Sequence, residues 1–411
     1  MGLFSRTRVR PGESAPTDKL SHTLRERGYV YQHTATLEEI TDGPKRTLYL
    51  GIDPTADSMH VGHLQAMLVL RRFLEHGHRV IVLLGGGTGM IGDPSGKSEE
   101  RVLLDAGMLA RNAAGIKRQA ERLFNSDNFE IRNNLDWLGQ LKVIDFLRDI
   151  GKHFSVNAMM ARDSVKERLE NREQGISYTE FSYMLLQSYD FLHLFESDRC
   201  TLQLGASDQW GNMVSGADLI RRKTGGEAYA LSFPLLINKS TGKKFGKSEG
   251  GAVWLDPKKT PPFQFYQFWI NVEDANVEEY LLKMTLLSKE EIGVVMAEQN
   301  NNPASRAGQK RLAYEITALV HGVRKAEEVK QESKELFTGG SPVQTDNIPT
   351  MPAGTLRQAA GILEISISEL RRLIEQGAVS SATSGNKFDS IDADVSNDTI
   401  KIGKNRFIRV E

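Results

Sequence analysis

The chain has 411 residues, carries 52 Lys and Arg against 53 Asp and Glu, and contains one cysteine, Cys200. Its length predicts roughly two or three domains around a large buried core, and its balanced charge excludes a globally basic nucleic-acid binder. A single cysteine excludes an internal disulfide and fits a reducing, cytoplasmic compartment. The sequence has no apolar run of about 18 residues that would span a membrane.

The first residues, 1–18, predict a disordered leader, because they are rich in arginine and no apolar core follows as a secretory signal requires. Residues 18–40 then predict a helix that ends at Gly28, followed by a short acidic helix. Both helices precede the first predicted strand.

Residues 46–86 predict a strand, a loop, a helix and a second strand. RTLYLGID (46–53) is rich in β-branched and aromatic residues, and RVIVLLGG (79–86) is a second apolar run. Between them, Asp57 or Ser58 is placed to cap a helix and Gly77 to end it. The crossover is expected to be right-handed, so the first helical turn lies at the carboxyl end of a parallel strand, where open α/β sheets bind ligands.

Two histidines, His60 and His63, fall in that first turn and share one helix face. The backbone N–H groups and the positive helix end already favour anions there, so a triphosphate suits the place. Gly62 between them would let a flat base or a ribose approach the backbone. The alternative is an ordinary surface or half-buried pair; zinc is excluded because no further suitable ligand lies nearby.

Two glycine-rich loops invite a phosphate-binding interpretation but are not P-loops. Gly92 and Gly96 are separated by three residues, as are Gly242 and Gly246, whereas the P-loop requires four. The second loop, 241–251, carries three lysines between glycines and is suited to closing over a polyphosphate. The alternative for this loop is a surface lysine run.

A long helix is predicted from Tyr178, and it carries Tyr183, Gln187 and Asp190 at positions i, i+4 and i+7 of one face. A phenol, an amide and a carboxylate in a row that faces inwards need partners, so we interpret the row as part of a small-molecule pocket. The alternative is a solvated face beside a core face. CTLQLGASDQWGN then predicts a strand and loop that deliver Gln203, Asp208 and Gln209 to the same sheet edge.

The rest of the chain is predicted as a helical region over 254–335, a linker over 338–353, and a last domain with a helical start and a strand-like close. That last domain, 354–411, has eight basic and eight acidic residues. RNA binding by it would therefore need a local basic face, and composition leaves this open. The candidates for that face are Arg371, Arg372, Lys387, Lys401, Lys404 and Arg409.

The motifs His60-Val-Gly-His63 and Lys244-Phe-Gly-Lys247-Ser248, in this order, resemble the two signatures of class I aminoacyl-tRNA synthetases. Around them the blocks YLGIDPTADSMHVGH, GGGTGMIGDPSGK, YTEFSYMLLQSYDF, LGASDQWGN and KFGKSEGGAVWLDPKK are similar to those of bacterial-type tyrosyl-tRNA synthetases. The similarity runs from about Leu20 to Val379.

The resemblance implies an α/β fold: a Rossmann-like parallel-sheet catalytic domain, an α-helical domain, and a small α+β S4-like domain. The implied division is a leader (1–18), the catalytic domain with a connective insertion (19–235), the lysine loop and helical anticodon-side domain (236–337), a linker (338–353) and the S4-like RNA-binding domain (354–411).

The implied activity is that of an ATP-dependent, AMP-forming tyrosine–tRNA ligase. Such an enzyme activates L-tyrosine with ATP to tyrosyl-adenylate and pyrophosphate, and then transfers tyrosine to the 3′ end of tRNA(Tyr). The resemblance also implies Mg²⁺ with ATP, no structural metal, and a cytoplasmic homodimer.

By the same resemblance, the tyrosine-binding residues are Tyr49 and Asp190 at the phenol and Asp93, Tyr183, Gln187 and Gln203 at the amino group. The implied catalytic residues are His60, His63, Lys97, Arg101, Lys244 and Lys247. The implied ATP-binding residues are Asp53, Thr55, Gly62, Asp208, Gln209, Lys244, Lys247 and Ser248.

Three alternatives stay open. A tryptophanyl-tRNA synthetase shares fold and loops, although an indole pocket has no evident need for Tyr49 and Asp190 at a phenol's end. A synthetase-derived RNA-binding protein without catalysis fits poorly with a complete set of phosphate-side residues. A plain nucleotidyltransferase would not need the last domain.

Overall fold

The computed structural model covers most of the chain in two compact units, Met1–Leu236 and Ile237–Glu411. The described residues are 18–95, 105–124, 126–162, 165–166, 176–239, 242, 245, 247–248, 251–338, 348–363, 365–403 and 406–411, with the backbone alone for 247, 248, 251 and 336–338. Residues 1–17 of the predicted leader lie outside them.

A parallel sheet forms the centre of the first unit. Its described strands are β1 (Gln32–His33), β2 (Thr47–Ile52), β3 (Arg79–Leu84), β4 (Phe129–Asn133), β5 (Cys200–Ala206) and β6 (Tyr229–Phe233). They are arranged in the order β1-β6-β5-β2-β3-β4, with β1 antiparallel at the edge and the others parallel. Buried residues fill β6, as expected of a strand covered on both faces, and the buried Cys200 begins β5. This arrangement confirms the predicted α/β class.

Helices connect and cover these strands. Their bounds are α1 Leu20–Glu26, α2 Leu37–Thr41, α3 Val61–Glu75, α4 Ala106–Leu123, α5 Leu135–Leu138, α6 Val143–Asp149, α7 Val156–Met160, α8 Tyr178–Asp198 and α9 Trp210–Thr224. Helices α8 and α9 pack closely at Gly216, where an added Cβ would lie 3.0 Å from Cδ1 of Phe191. The helix predicted from Tyr178 is confirmed as α8.

The start of α3 differs from the prediction. Its N-cap is His60, not Asp57 or Ser58. The Ser58 hydroxyl is engaged elsewhere, because it donates to the Met59 carbonyl and accepts from the Gln119 amide. The predicted end is confirmed, since α3 stops just before Gly77, whose φ is +82°.

Sequence reasoning gives no strand at β1, β4 or β6. β1 has only two residues, and β4 (FEIRN) is too polar for its five residues to predict a strand. The segment NLDWLG (134–139), for which no element was predicted above, contains the short helix α5. The three strands form because the neighbouring strands of the sheet supply their hydrogen bonds, which is a tertiary effect.

The second unit begins with a short hairpin and continues as a helical region, as predicted for 254–335. The bounds are β7 Lys247–Ser248, β8 Gly251–Ala252, α10 Pro262–Ile270, α11 Asp274–Met284, α12 Lys289–Asn301, α13 Ala307–His321 and α14 Val323–Thr338. Helix α12 has a capping box between Ser288 and Glu291. No helix in the described parts of the chain is long and apolar enough to cross a membrane.

A small α+β region closes the chain, and its helical start and strand-like end confirm the prediction. The bounds are β9 Thr350–Met351, β10 Gly354–Thr355, α15 Leu356–Ile362, α16 Ile367–Glu375, β11 Val379–Ser381, β12 Asp394–Val395, β13 Asp398–Ile402 and β14 Arg406–Val410. Strand β9 lies within the predicted linker, because Thr350 and Met351 pair in parallel with Arg409 and Val410 of β14.

The β11-β13-β14-β9 sheet of this region has two different faces. One face, with Ile400 and Ile408, packs in the core formed with α15 and α16. Phe407 lies on the other face and packs edge-on against Phe263 of α10, with ring centroids 5.2 Å apart. Of the residues predicted for a basic face, Arg409 is buried on this side.

The remaining residues predicted for the basic face differ in their exposure to solvent. Lys401 is half-buried, and burial, with a contribution from the charge of Arg306, lowers the pKa of Lys401. Lys404 lies outside the described residues, whereas Arg371, Arg372 and Lys387 are exposed. The exposed members of the set are therefore Arg371 and Arg372 of α16 and Lys387.

Candidate functional site

Two predicted tyrosine-site residues lie side by side on the sheet. Tyr49 of β2 and Gln203 of β5 are partners in the parallel ladder, so both side chains project from the same face. Helix α8 covers that face, and the Tyr49 ring centroid is 5.3 Å from that of Phe191. Both side chains are consequently buried.

Asp190 of α8 supplies a buried carboxylate, of which 2% is exposed. Its Oδ2 accepts a hydrogen bond from Nδ2 of Asn134 at 2.9 Å, and its Oδ1 accepts one from Nε1 of Trp137 at 2.7 Å. Burial raises the pKa of Asp190 to about 7, opposed by these two hydrogen bonds. Each carboxylate oxygen has a further lone pair, so the group is able to accept from a phenol as well.

Two polar atoms at this face are buried without a partner among the described residues. They are the hydroxyl of Tyr49 and Oε1 of Gln203. Burial and the Asp190 charge raise the pKa of Tyr49 well above its usual value, so the hydroxyl stays protonated. An unsatisfied buried group costs about 1–3 kcal/mol. The two atoms therefore mark a place where a polar ligand would be stabilising.

The row of polar residues on α8 is turned inwards. The Tyr183 hydroxyl donates to Oδ2 of Asp53 at 3.0 Å, and Oδ1 of Asp53 accepts from the Thr88 hydroxyl at 2.8 Å. Gln187 accepts from the Asn212 amide at 3.1 Å. The alternative of a solvated face is therefore wrong, and the pocket interpretation of this row is supported.

Asp93 is tied to the turn that follows β5. Its Oδ2 accepts from Nε2 of Gln209 at 2.7 Å, and its Oδ1 accepts from the Ser95 backbone at 2.9 Å. Asp208 lies in the same turn as Gln209. Gln209, implied as an ATP contact, is thus bonded to a residue implied for tyrosine, so the two sets meet at this turn.

The glycines after β3 allow these side chains to come together. A Cβ added at Gly85 would collide with the Asp53 carboxylate and the Thr88 hydroxyl. A Cβ at Gly86 would collide with the Asn133 amide. Glycine is therefore needed at these two positions, because neighbouring side chains pack directly against the backbone.

His60 and His63 form the start of α3. Nδ1 of His63 accepts from the His60 backbone N–H at 3.2 Å, Nδ1 of His60 accepts from that of Gly62 at 3.1 Å, and the rings stack 3.9 Å apart. Because both Nδ1 atoms accept, a neutral ring carries its proton on Nε2. Burial, with a contribution from His60, lowers the pKa of His63 to about 3, so that ring is neutral near pH 7.

Gly62 has a packing reason as well. A Cβ there would lie 2.9 Å from Cε1 of the His60 ring, which folds back over the helix start. Any other residue would displace this ring. Thr55, in the preceding loop, is exposed, and its backbone N–H donates to the Asp53 carbonyl.

Several implied phosphate-side residues are not part of this geometry. Lys97, Arg101 and Lys244 lie outside the described residues, and Lys247 and Ser248 are described by backbone alone, as β7. Their roles stay predictions. In the part of the chain that is described, no group of three or more His, Cys, Asp or Glu side chains is placed to hold a metal ion.

Sequence reasoning missed four residues of the site: Thr88, Asn134, Trp137 and Asn212. Asn134 and Trp137 follow β4, a strand that the sequence did not predict, and α5 turns the Trp137 side chain towards Asp190. The available signal was that a buried carboxylate needs hydrogen-bond donors, and that an Asn and a Trp, both donors, occur together in NLDWLG.

Comparison with known proteins identifies the family. Residues 41–338 match the family model described as tRNA synthetases class I (W and Y). The chain belongs to this family. It is 46% identical over 393 residues to the tyrosine–tRNA ligase of Staphylococcus saprophyticus, covering 94% of this chain and 91% of the relative. It is 52% identical over 326 residues to the tyrosine–tRNA ligase of Staphylococcus epidermidis, covering 78% of this chain and 76% of the relative.

A solved structure agrees with these relatives. A C-terminally truncated mitochondrial tyrosyl-tRNA synthetase from Aspergillus nidulans matches with a TM-score of 0.71 and 30% identity, over 78% of this chain and 94% of that one. Within the family, the chain has the function of a tyrosine–tRNA ligase, with tyrosine, ATP and tRNA as substrates. This confirms the implied activity.

Proposed function

We propose that the substrate tyrosine binds with its phenol hydroxyl between Tyr49 and Asp190. The buried Tyr49 hydroxyl, which has no partner in the described parts of the chain, carries this proposal. The phenol would donate to the Asp190 carboxylate and accept from Tyr49, so both buried groups would be satisfied. An indole N–H could donate to Asp190 but offers Tyr49 no acceptor, which favours tyrosine over tryptophan.

The amino end of the substrate is proposed to face the second set of residues. Gln203 supports this most, because its buried Oε1 lacks a partner among the described residues and an ammonium group would supply a donor. The carboxylate of Asp93 adds charge complementarity at the turn after β5. The set is Asp93, Tyr183, Gln187 and Gln203.

Activation needs no general base, because the tyrosine carboxylate is already the nucleophile. Its oxygen forms a bond to the α-phosphorus of ATP while the bond from that phosphorus to the pyrophosphate oxygen breaks. The protein's task is to align the two groups and to stabilise the charge that grows on pyrophosphate. His60 and His63 suit this task, since a ring whose Nδ1 accepts from the helix start presents an Nε2–H donor.

The other ATP contacts are proposed by resemblance to the family. Asp53, Gly62, Asp208 and Gln209 would meet adenosine, ribose or the amino-acid substrate, and Thr55 and Ser248 the phosphates. Lys97, Arg101, Lys244 and Lys247 would meet the phosphates as cations. Mg²⁺ would accompany ATP and neutralise part of its phosphate charge, held by the nucleotide and not by a protein cage.

Transfer to tRNA(Tyr) is proposed to use the small α+β region as an S4-like RNA-binding domain. The exposed arginines of α16 support this. The proposed division of the chain stays as predicted from the sequence: leader 1–18, catalytic domain 19–235, lysine loop and anticodon-side domain 236–337, linker 338–353 and RNA-binding domain 354–411.

We also propose a cytoplasmic homodimer. Helices α6 and α7 expose several large apolar side chains, and exposed apolar surface that is larger than on a typical monomer marks an interaction site. The exposed fractions are Val143 69%, Ile144 70%, Leu147 47%, Val156 57% and Met160 47%. Sedimentation of the Ile144→Asp variant is expected to show monomers, and an unchanged dimer would remove this surface from consideration.

The site assignment is tested by ATP–pyrophosphate exchange with tyrosine, tryptophan and phenylalanine in turn. Wild-type protein is expected to support exchange with tyrosine far better than with the others. Tyr49→Phe should lower kcat/KM for tyrosine and leave the weak phenylalanine reaction almost unchanged. A Tyr49→Phe protein with the wild-type tyrosine-to-phenylalanine ratio would place the phenol elsewhere.

A further inference from the structure

An aromatic cluster around Phe245 in the second unit takes no part in the steps proposed above. The Phe245 ring centroid lies 4.4 Å from that of Tyr280, 5.1 Å from that of Phe268 and 5.3 Å from that of Trp269. Trp269 belongs to α10 and Tyr280 to α11, and both are almost fully buried. The Phe245 side chain is thus inserted between two helices.

Phe245 lies in the middle of a sequence motif to which a function is proposed above. Phe245 lies within Lys244-Phe-Gly-Lys247, whose two lysines are proposed to meet the ATP phosphates. Glycines at 242, 246, 250 and 251 surround it, and glycine leaves the backbone the largest conformational freedom. Ordering each residue costs backbone conformational entropy, so a chain of this composition depends on anchoring contacts.

We propose that Phe245 is a positioning residue for the reaction with ATP. Its ring packs against Trp269 of α10 and Tyr280 of α11, and Lys244 and Lys247 lie one and two residues from it in the sequence. Anchoring restricts the conformations from which Lys244 and Lys247 begin to act, so less entropy is lost when they meet phosphate. This inference rests on the phosphate role proposed for the two lysines.

The aromatic side chains that surround Phe245 do not depend on it for their position. Trp269 and Tyr280 are core residues of the helical region, and Trp269 contacts Phe265 and Phe268 as well. Phe245, in contrast, is only half-buried. Removing its ring is therefore expected to affect the motif more than the stability of the helices.

Tyr280 provides a matched control. Its hydroxyl is buried and has no partner among the described residues, so Tyr280→Phe keeps the ring against Phe245 and removes an unsatisfied group. This variant should have wild-type kinetics and unchanged or higher thermal stability.

The experiment compares Phe245→Ala, Phe245→Leu, Tyr280→Phe and Lys247→Ala in ATP–pyrophosphate exchange, with tyrosine affinity measured by equilibrium dialysis. Phe245→Ala is expected to lower kcat/KM for ATP by about 10- to 100-fold with unchanged tyrosine affinity, and Phe245→Leu to restore most of it. Wild-type kinetics for Phe245→Ala, or a parallel loss of tyrosine affinity, would overturn the positioning role.

A double variant separates this inference from the lysine assignment. If Phe245 acts through the lysine, Phe245→Ala added to Lys247→Ala should cost much less than it does alone. Full additivity would overturn the inference while leaving the lysine role intact. Wild-type kinetics for Lys247→Ala would overturn the proposed phosphate role and, with it, the inference.

Discussion

The phenol end of the site and the histidine pair are held in place by different means. Asp190 is fixed by Asn134 and Trp137, which lie more than fifty residues away in the chain. His60 and His63 are fixed by the backbone of their own helix start. The first arrangement depends on the whole fold, whereas the second is complete within four residues. Substitutions at the two ends should therefore fail in different ways.

The largest effect is expected for Asp190→Asn. The amide would turn an N–H₂ group towards the donor of either Asn134 or Trp137, and the charge-assisted bond to the phenol would be lost. We expect kcat/KM for tyrosine to fall by about 100-fold or more, and that for phenylalanine to change little. Exchange kinetics with both amino acids measure this.

That measurement is compared with the preference of tyrosyl-tRNA synthetases for tyrosine over phenylalanine, which is roughly 10⁵-fold and needs no editing step. This value is a property of the family and is not obtained from the geometry described above. Trp137→Phe serves as the companion variant, because it removes one donor and keeps the carboxylate. If Asp190→Asn keeps the wild-type ratio, the α8 row does not form the phenol site.

Substitutions of His60 or His63 should lower the rate of adenylate formation and leave tyrosine affinity unchanged. His63→Ala and His60→Ala are each expected to slow adenylate formation by about 100-fold, because their Nε2–H donors act on charge that develops only during reaction. Tyrosine affinity by equilibrium dialysis should be unchanged. A comparable loss of affinity in both variants would contradict this role.

His60 also caps α3, and loss of a cap costs about 1 kcal/mol. His60→Asn retains a capping oxygen, so it should unfold at the wild-type temperature and still react slowly. A fast His60→Asn enzyme would show that capping, and not donation to phosphate, is the function of this residue.

The pH dependence of tyrosine binding gives a smaller and sharper comparison. The pKa of Asp190 is raised to about 7, and a phenol that donates to its carboxylate favours the ionised form. Tyrosine affinity should therefore be constant above pH 7 and fall towards tenfold per unit below it. Asp190→Asn should show a flat profile over this range. A wild-type profile as flat as that of the variant would mean that Asp190 stays ionised or makes no bond.

The smallest effect is expected on the RNA side. Replacing Arg371 and Arg372 together by alanine should raise KM for tRNA several-fold and lower the salt slope of binding by about 1 to 2. Adenylate formation should be unaffected. The double lysine variant, which keeps both charges, is expected to resemble the wild type, and an alanine variant with an unchanged salt slope would remove α16 from the RNA contact.

Sequence patterns correctly predicted those features of the fold that depend on interactions between residues close in the chain. The row of Tyr183, Gln187 and Asp190 follows from helical spacing, and the end of α3 follows from Gly77. The donors to Asp190 could not be predicted, because Trp137 meets it only through the packing of α5 against the sheet. The predicted N-cap of α3 was wrong for a similar reason, because Gln119 of α4 engages the Ser58 hydroxyl. Lys97, Arg101 and Lys244 stay predictions.

The buried position of Cys200 has a practical consequence for chemical labelling. It is the chain's single cysteine, its thiol is inaccessible at the start of β5, and burial raises its pKa well above the usual range. Thiol reagents attack the thiolate, so the native fold should resist them. A Glu375→Cys variant would then carry one reactive thiol at an exposed position of α16 and keep both arginines. A fluorophore attached there would test whether tRNA binds near α16, without prior removal of a native cysteine.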